Sequence, residues 1–243
     1  MSVNPKRMAG PAIHAVDPWM RGDPQKRARH QLLSDDERAQ LAKISSIVRF
    51  EKGEQIYLEG DRADAAFNII SGVVTAYRAV EAGARVVTSF LYPGDLFGLS
   101  EEGIYSGSTK ATTFVVAYKM PLEAVRRVLR KNADLDVGVI IKLCEELREA
   151  QHHAVLLAQK KAVSRLARFL ELQEHLQFLS DGRTIFLPMK RSEIGDYLGL
   201  TPAAVSRAFR TLVLKKIISD QDLHHVKIVN RNALYRIADS TSR

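Results

Sequence analysis

Cysteine is almost absent: Cys144 is the single one in 243 residues. One thiol excludes a disulfide framework, a four-cysteine zinc site and an all-cysteine iron–sulfur cluster within one chain, and it fits a reducing compartment. Long apolar runs are also missing. No window approaches ~18 uninterrupted apolar residues, so no transmembrane helix is expected. The opening MSVNPKRMAGPAIHAVDPWM lacks the apolar stretch of a signal peptide. These absences point to a cytoplasmic protein with no membrane partner. Histidine is missing between His30 and His152, so a metal enzyme built on that stretch lacks its usual imidazole ligands.

Hydrophobic residues make up 46 % of the chain, enough for a real core, and the length allows two domains or one with an appendage. The formal charge of +8 is unevenly spread. Residues 1–30 carry six Lys/Arg against two Asp, residues 31–159 fifteen against eighteen acids, and residues 160–243 fifteen against eight. The excess of positive charge therefore sits in the tail and the last third. Such localisation is the footprint of a nucleic-acid module, with a solvated basic face as the competing explanation.

The texture changes along the chain. Residues 1–30 hold four prolines and no apolar period, and read as a largely disordered tail in which KRAR (26–29) is a minor candidate for phosphate contact. SDDERAQLAKI (34–44) has an N-cap serine and early acids, which predict a short helix. From about 47 to 119, short β-branched and aromatic runs alternate with turn glycines Gly53, Gly60, Gly72, Gly83 and Gly94, at intervals of 7, 12, 11 and 11 residues. That spacing predicts an antiparallel barrel or jelly roll. PLEAVRRVLRKN predicts a short helix, and Asp134 to Gln159 a long one. In the long helix Val137, Ile140, Cys144, Leu147, Gln151, Ala154 and Ala158 recur with 3-4-3-4-3-4 spacing, a coiled-coil seam. A second set, Val139, Leu143, Val155 and Leu156, lies off the seam and is expected to pack on the barrel. Two apolar faces suggest a helix that pairs across a dimer axis, against the alternative of burial wholly within its own monomer. Gln151 suits a register-fixing role. Cys144 reads either as a small packed hydrophobe or as half of a cross-dimer disulfide. His152 and His153 read as surface or interface residues, not metal ligands.

The segment RSEIGDYLGLTPAAVSRAFRTLVLKK carries the function. Ile194 and Leu198 lie one turn apart on a short helix that Gly199 can end in a left-handed conformation. Thr201 is a suitable N-cap and Pro202 a suitable first helical residue. Val205, Ala208, Phe209 and Leu212 form an inward stripe, leaving Ala203, Ser206, Arg207 and Arg210 outward. Two short helices with a glycine turn make a helix-turn-helix, whose second helix enters the major groove of double-stranded DNA. Arginine can bond guanine O6 and N7 together, and serine can contact several bases. Lys190, Arg191 and Thr201, near the helix starts, suit phosphates. The candidate DNA-binding set is Arg191, Thr201, Pro202, Ala203, Ser206, Arg207 and Arg210. KKIISD and HHVKIVN then predict a hairpin, the wing of a winged variant.

Together these features resemble the CRP/FNR bacterial transcription regulators, closest to the FNR/FixK-type branch, over about residues 31–237. KGEQIYLEGD, FNIISGVVTAY, PGDLFGL and MKRSEIGDYLGLTPAAVSR carry the resemblance. It implies an α+β fold: a basic tail (1–30), an antiparallel β-roll of the cyclic-nucleotide-binding jelly-roll type (31–132), a dimerisation helix (133–159) and a winged helix-turn-helix (160–243). It implies a homodimer on palindromic DNA, RNA polymerase as a further partner, and no enzymatic activity. Arg207 stands at the family's guanine-reading arginine, and Ser206 matches the serine of the FNR-type pattern Glu-x-x-Ser-Arg, which suggests TTGA-type half-sites. The pattern's glutamate is Ala203 here. A carboxylate accepts from cytosine N4 and a methyl cannot, so discrimination at that base pair is expected to relax or to move to Arg210.

The sensory side departs further from the family. Cyclic-AMP-responsive members hold ribose with a glutamate after the Phe-Gly step, and phosphate with an Arg-Ser pair. Here Leu99 comes after Phe97-Gly98, and Ile104-Tyr105 occupy the region of the pair. Burying an anionic phosphate without a cation is costly, and Arg85 and Lys110 are the cations left to supply one. Iron–sulfur sensing lacks its cysteines and haem sensing lacks its histidines, so no cofactor is expected. The competing classes are a cupin-like metal enzyme, an interaction protein that kept the fold but lost DNA recognition, and an effector-gated regulator of altered specificity.

Overall fold

The computed structural model describes residues 42–80, 83–100, 102–130, 133–177, 184–220, 222 and 224–239, plus a two-residue antiparallel ladder between His14–Ala15 and His30–Gln31. Apart from that ladder the basic tail lies outside the described residues, as does most of the helix expected over 34–44.

The β-roll has eight strands: β1 (Ser46–Phe50), β2 (Gln55–Tyr57), β3 (Ala65–Ser71), β4 (Val74–Ala79), β5 (Arg85–Leu91), β6 (Leu96–Phe97), β7 (Ser108–Ala111) and β8 (Val115–Pro121). They form two four-stranded antiparallel sheets, in the orders β1-β8-β3-β6 and β2-β7-β4-β5. Alternate strand residues face the same side. Phe67 and Ile69 of β3, and Val115 and Ala117 of β8, thus meet Val74, Phe97 and Ala111 between the sheets. Phe67 stacks on Phe97 with ring centroids 5.2 Å apart, and Phe50 meets Phe67 edge-on.

β5 breaks the alternation. Val87 and Phe90 are both buried although three residues apart, because the β4–β5 register shifts between Ala76 and Tyr77. An extra residue on one strand re-aims the side chains beyond it. Both side chains therefore point out of the roll into the C-terminal core, which they share with Tyr92, Leu156, Phe169, Tyr197 and Leu198.

The helices are α1 (Leu122–Leu129), α2 (Ala133–Ala158), α3 (Ala162–Leu176), α4 (Arg191–Leu198), α5 (Pro202–Leu214) and α6 (Arg231–Ala238). A three-stranded antiparallel sheet, β9 (Thr184–Phe186), β10 (Ile218–Asp220) and β11 (His225–Ile228), has the order β9-β11-β10. Leu166, Phe169 and Leu170 of α3 are fully buried under α5 and α6. The pair Arg231–Glu174 ties α6 to α3.

The structure corrects one expectation about α2. Leu156 is buried in the C-terminal core, but Val155 is 66 % exposed, so Val155 does not pack on the barrel. The reason is helical geometry. Val155 lies three turns beyond Cys144, only about 20° off its line at 3.6 residues per turn, and so belongs to the seam side. Val139 and Leu143 have side chains outside the described set. The sequence does not predict the short strands β6 and β7 or the helix α6. STKA offers no apolar alternation, and LF is too short to signal a strand.

Candidate nucleic-acid interface

The helix pair at residues 191–214 is built by local rules. Gly199 ends α4 with φ 61° and ψ 41°, a left-handed conformation that costs other residues but not glycine. Gly195 serves differently: a Cβ there would lie 2.5 Å from the Leu200 carbonyl oxygen, so only glycine allows the chain to fold back this closely. Thr201 Oγ1 accepts from the Ala204 amide at 3.2 Å, and Pro202 opens α5. Such a cap contributes on the order of 1 kcal/mol.

α5 is two-faced, as the sequence implied. Val205, Ala208, Phe209 and Leu212 are buried. Burying Val, Phe and Leu side chains contributes about 1.5–3 kcal/mol each, which fixes which side of the helix faces inward. Ala203, Ser206, Arg207 and Arg210 are exposed, as are Thr201 and Pro202. Ser206 Oγ donates to the Pro202 carbonyl at 2.9 Å. Arg191 is placed differently from the others. It is half-buried, with its guanidinium carbon 3.4 Å from the Phe209 ring centroid, so it packs from the N-terminus of α4 against the buried side of α5.

The wing completes the surface. Asp222, in the β10–β11 turn, accepts from the His224 and His225 amides at 2.7 and 2.8 Å and pairs with His225 Nδ1 at 2.8 Å. These backbone and imidazole bonds hold the exposed Asp222 carboxyl below the usual aspartate range. Lys215 and Lys216, just before β10, and Lys227 on β11 are exposed.

In the single chain, the row of α2 residues that the sequence marks as a seam is exposed. Ile140 is 57 % and Leu147 61 % exposed, and Cys144, Gln151, Ala154 and Ala158 are exposed as well. The Val137 side chain lies outside the described set. His153 is half-buried. Its ring stacks on Tyr197 at 4.1 Å and its Nε2 lies 2.7 Å from the Tyr197 carbonyl. Burial lowers its pKa from the ordinary histidine value, with the carbonyl bond acting the other way. Among the described residues no group of three His, Cys, Asp or Glu side chains could hold a metal, and no helix is long and apolar enough to cross a membrane.

On the roll a solvent-open cavity of about 250 Å³ is lined by Tyr57, Tyr77, Arg78, Leu99, Tyr105 and Ser108, among others. Tyr105 stacks on Tyr57 at 3.7 Å and donates its hydroxyl to the Ala65 carbonyl at 2.7 Å. Arg78 is paired with Glu59 at 2.7 Å. Arg85 and Lys110 are engaged elsewhere. Arg85 Nε bonds Asp196 at 2.9 Å and Lys110 Nζ bonds Glu193 at 2.5 Å, both on α4.

A glycine-turned helix pair, a buried stripe opposite an exposed arginine face, and a β-wing define a winged helix-turn-helix carried beside a β-roll. Comparison with known proteins agrees in both halves. Residues 47–132 match the cyclic nucleotide-binding domain family and residues 164–237 the Crp-like helix-turn-helix domain family. The nitrogen fixation regulation protein FixK of Rhizobium meliloti is 30 % identical over 192 residues, 77 % of this chain and 85 % of that protein. The FixK protein of Bradyrhizobium diazoefficiens is 32 % identical over 167 residues, 68 % of this chain and 70 % of that one. The solved structure of FixK2 from Bradyrhizobium japonicum is similar with a TM-score of 0.76 at 27 % identity, covering 82 % of this chain and 100 % of that one. The chain belongs to the CRP/FNR family of DNA-binding transcription regulators, a family of regulators and not of enzymes.

Sequence reasoning missed the residues that join the two halves: Glu193, Asp196, Tyr197, Gln159 and Arg165. Arg165 donates to the Gln159 carbonyl at 2.8 Å, and to those of Leu198 at 2.8 Å and Gly199 at 3.2 Å, so it links the α2–α3 hinge to the α4 turn. No local pattern marks such partners. The single sequence clue is Glu193 three residues after Lys190, whose amide donates to that carboxylate at 2.8 Å as a helix cap.

Proposed function

We propose that the protein is a cytoplasmic homodimeric transcription regulator that binds a palindrome of TTGA-type half-sites, one α5 per half-site, without a cyclic nucleotide. The observation that carries it is the exposed line Ala203, Ser206, Arg207 and Arg210 on a helix whose opposite side is locked in the core. Arg207 bonds guanine O6 and N7, and Ser206 contacts the neighbouring base. Ala203 meets its base pair with a methyl only. Arg210 reaches further along the groove. Thr201, Pro202 and Lys190, with Arg191 behind them, set the helix against the phosphates.

The open seam supports dimerisation. A row of exposed Ile140, Cys144, Leu147 and Val155 on a long helix gains burial by pairing with its symmetry mate. A dimer with two helix-turn-helix units matches a two-fold DNA site. RNA polymerase at a neighbouring promoter is the further partner through which the bound dimer acts. The boundaries proposed are the basic tail to 30, the roll to 132, the dimer helix to 159 and the DNA-binding domain thereafter.

Independence from cyclic nucleotides is supported by the pairing of the roll's cations. A phosphate entering the cavity has Arg78 as its lining cation, and must break the Arg78–Glu59 pair to use it. An anion buried without a dedicated cation is strongly unfavourable.

An electrophoretic shift assay across a salt series tests the function. The expected result is a TTGA palindrome bound far more tightly than random DNA of equal length, with no change on adding cyclic AMP. Equal binding of both DNAs at every salt concentration refutes specific regulation.

A further inference from the structure

α4 sits between the roll and the reading helix, with a distinct face for each. Glu193, Asp196 and Tyr197, at i, i+3 and i+4, share one side of the helix. That side meets β5 and β7 of the roll. Lys110 Nζ is 2.5 Å from Glu193 Oε1, Arg85 Nε is 2.9 Å and Nη2 3.8 Å from Asp196 and Glu193 respectively, and Tyr197 packs on Phe90 at 5.4 Å. Arg85 also lies over the Tyr77 ring at 5.8 Å, which steadies it against the sheet. Gly195 and Leu198 face the other way, toward Leu200, Val205 and the core beneath α5.

Glu193 is the pivot of this contact. It is 4 % exposed and accepts at once from Lys110 Nζ and from the Lys190 amide that begins α4. The β-roll thus reaches the N-cap of the first helix of the helix-turn-helix. Exposed ion pairs contribute little. A buried carboxylate that loses its cation keeps its desolvation cost without the compensation. Lys110 and Arg85 are therefore more than surface decoration.

We propose that Arg85 and Lys110 are positioning residues for DNA binding: through Glu193 and Asp196 they hold α4, and through α4 the helix α5, in the orientation that leaves Ser206, Arg207 and Arg210 open to the groove. The role presupposes the DNA reading above. It also gives the roll a mechanical part that needs no small ligand, because the side chains that steady the DNA-binding unit belong to the strands themselves. The cations act through α4 and touch no DNA.

The test is a charge swap in the full-length protein: Arg85→Asp, Asp196→Arg and the double variant. Affinity for the TTGA palindrome is expected to fall about tenfold in each single variant and to recover in part in the double, where the swapped pair re-forms but the carboxylate at 85 now faces Glu193. The slope of log affinity against log salt stays that of the unmodified protein. A direct phosphate contact instead predicts a slope smaller by about 0.9 per lost charge. Amide hydrogen exchange without DNA provides the independent arm: residues 191–198 exchange faster in the single variants and recover in the double. Singles that bind as tightly as the parent, a double that fails to recover, or a reduced salt slope each overturn the proposal. Unchanged exchange over 191–198 overturns it as well, even if the parent protein recognises no palindrome, an outcome that refutes the DNA reading separately.

Discussion

Ser206 donates its hydroxyl proton to the Pro202 carbonyl oxygen, 2.9 Å away and one turn back in α5. With the proton engaged, the outward side of the oxygen offers lone pairs. Serine in this state accepts from a base amino group, the N4 of cytosine or the N6 of adenine, and does not donate to a keto oxygen. Ala203 has removed the neighbouring acceptor that the FNR-type pattern places there, so Ser206 is the acceptor that remains between Ala203 and Arg207. Ser206→Ala is expected to cost about 0.5–1.5 kcal/mol on the preferred site, the worth of one hydrogen bond. It should also flatten preference at one base pair per half-site, measured by competition with all four substitutions at that pair. Unchanged preference at every position would remove Ser206 from base reading.

Arg207 and Lys190 separate base reading from phosphate contact. Arg207→Ala should lose about 1–3 kcal/mol on the palindrome and leave affinity for random DNA nearly intact. Lys190→Ala should weaken both DNAs alike and reduce the salt slope by about 0.9. Phe209 is unsuitable for such a test, because truncating a buried phenylalanine costs about 3–5 kcal/mol of stability and confounds reading with folding.

The seam of α2 predicts the oligomeric state. Leu147 is 61 % exposed in one protomer, so Leu147→Glu leaves the monomer fold intact while placing like charges across the proposed dimer axis. Sedimentation at micromolar concentration should show a dimer for the parent and a monomer for the variant, with unchanged circular dichroism. A variant that remains dimeric contradicts pairing through this seam.

Much of this is legible in the sequence because it depends on local chemistry. The turn glycines mark the roll, Gly199, Thr201 and Pro202 mark the helix-turn-helix, and the stripe Val205, Ala208, Phe209 and Leu212 marks its buried side. Relations between distant segments are not legible. Arg85 and Asp196 are 111 residues apart, and nothing near either names the other. The shift in the β4–β5 register that turns Val87 and Phe90 out of the roll has no residue signature, and without it the interdomain core is invisible. A heptad count puts Val155 on the wrong side because it does not track residues eleven apart, which real helices nearly align.

His153 predicts a pH dependence. Burial against Tyr197 lowers its folded-state pKa from the usual value of about 6.5. Above that value the imidazole is neutral in both states and contributes no pH dependence. As pH falls through about 6.5 the unfolded chain takes up the proton first, so stability drops until the lower folded pKa is reached. His153→Gln keeps a donor for the Tyr197 carbonyl and removes the titration. Between pH 7.5 and 5.5, Tm should fall further in the parent than in His153→Gln, a difference measured by calorimetry. Parallel curves would show that His153 does not titrate in this window.

Selection of bound sites from a random DNA library tests the central claim most directly, with the unmodified protein and Ala203→Glu side by side. The account predicts a two-fold symmetric consensus of TTGA type with one unspecified base pair in each half-site. It predicts that Ala203→Glu converts this pair into a specified one, because a carboxylate at 203 can accept from cytosine N4. Sites without two-fold symmetry, or a parent consensus already fully specified and unmoved by Ala203→Glu, would contradict it.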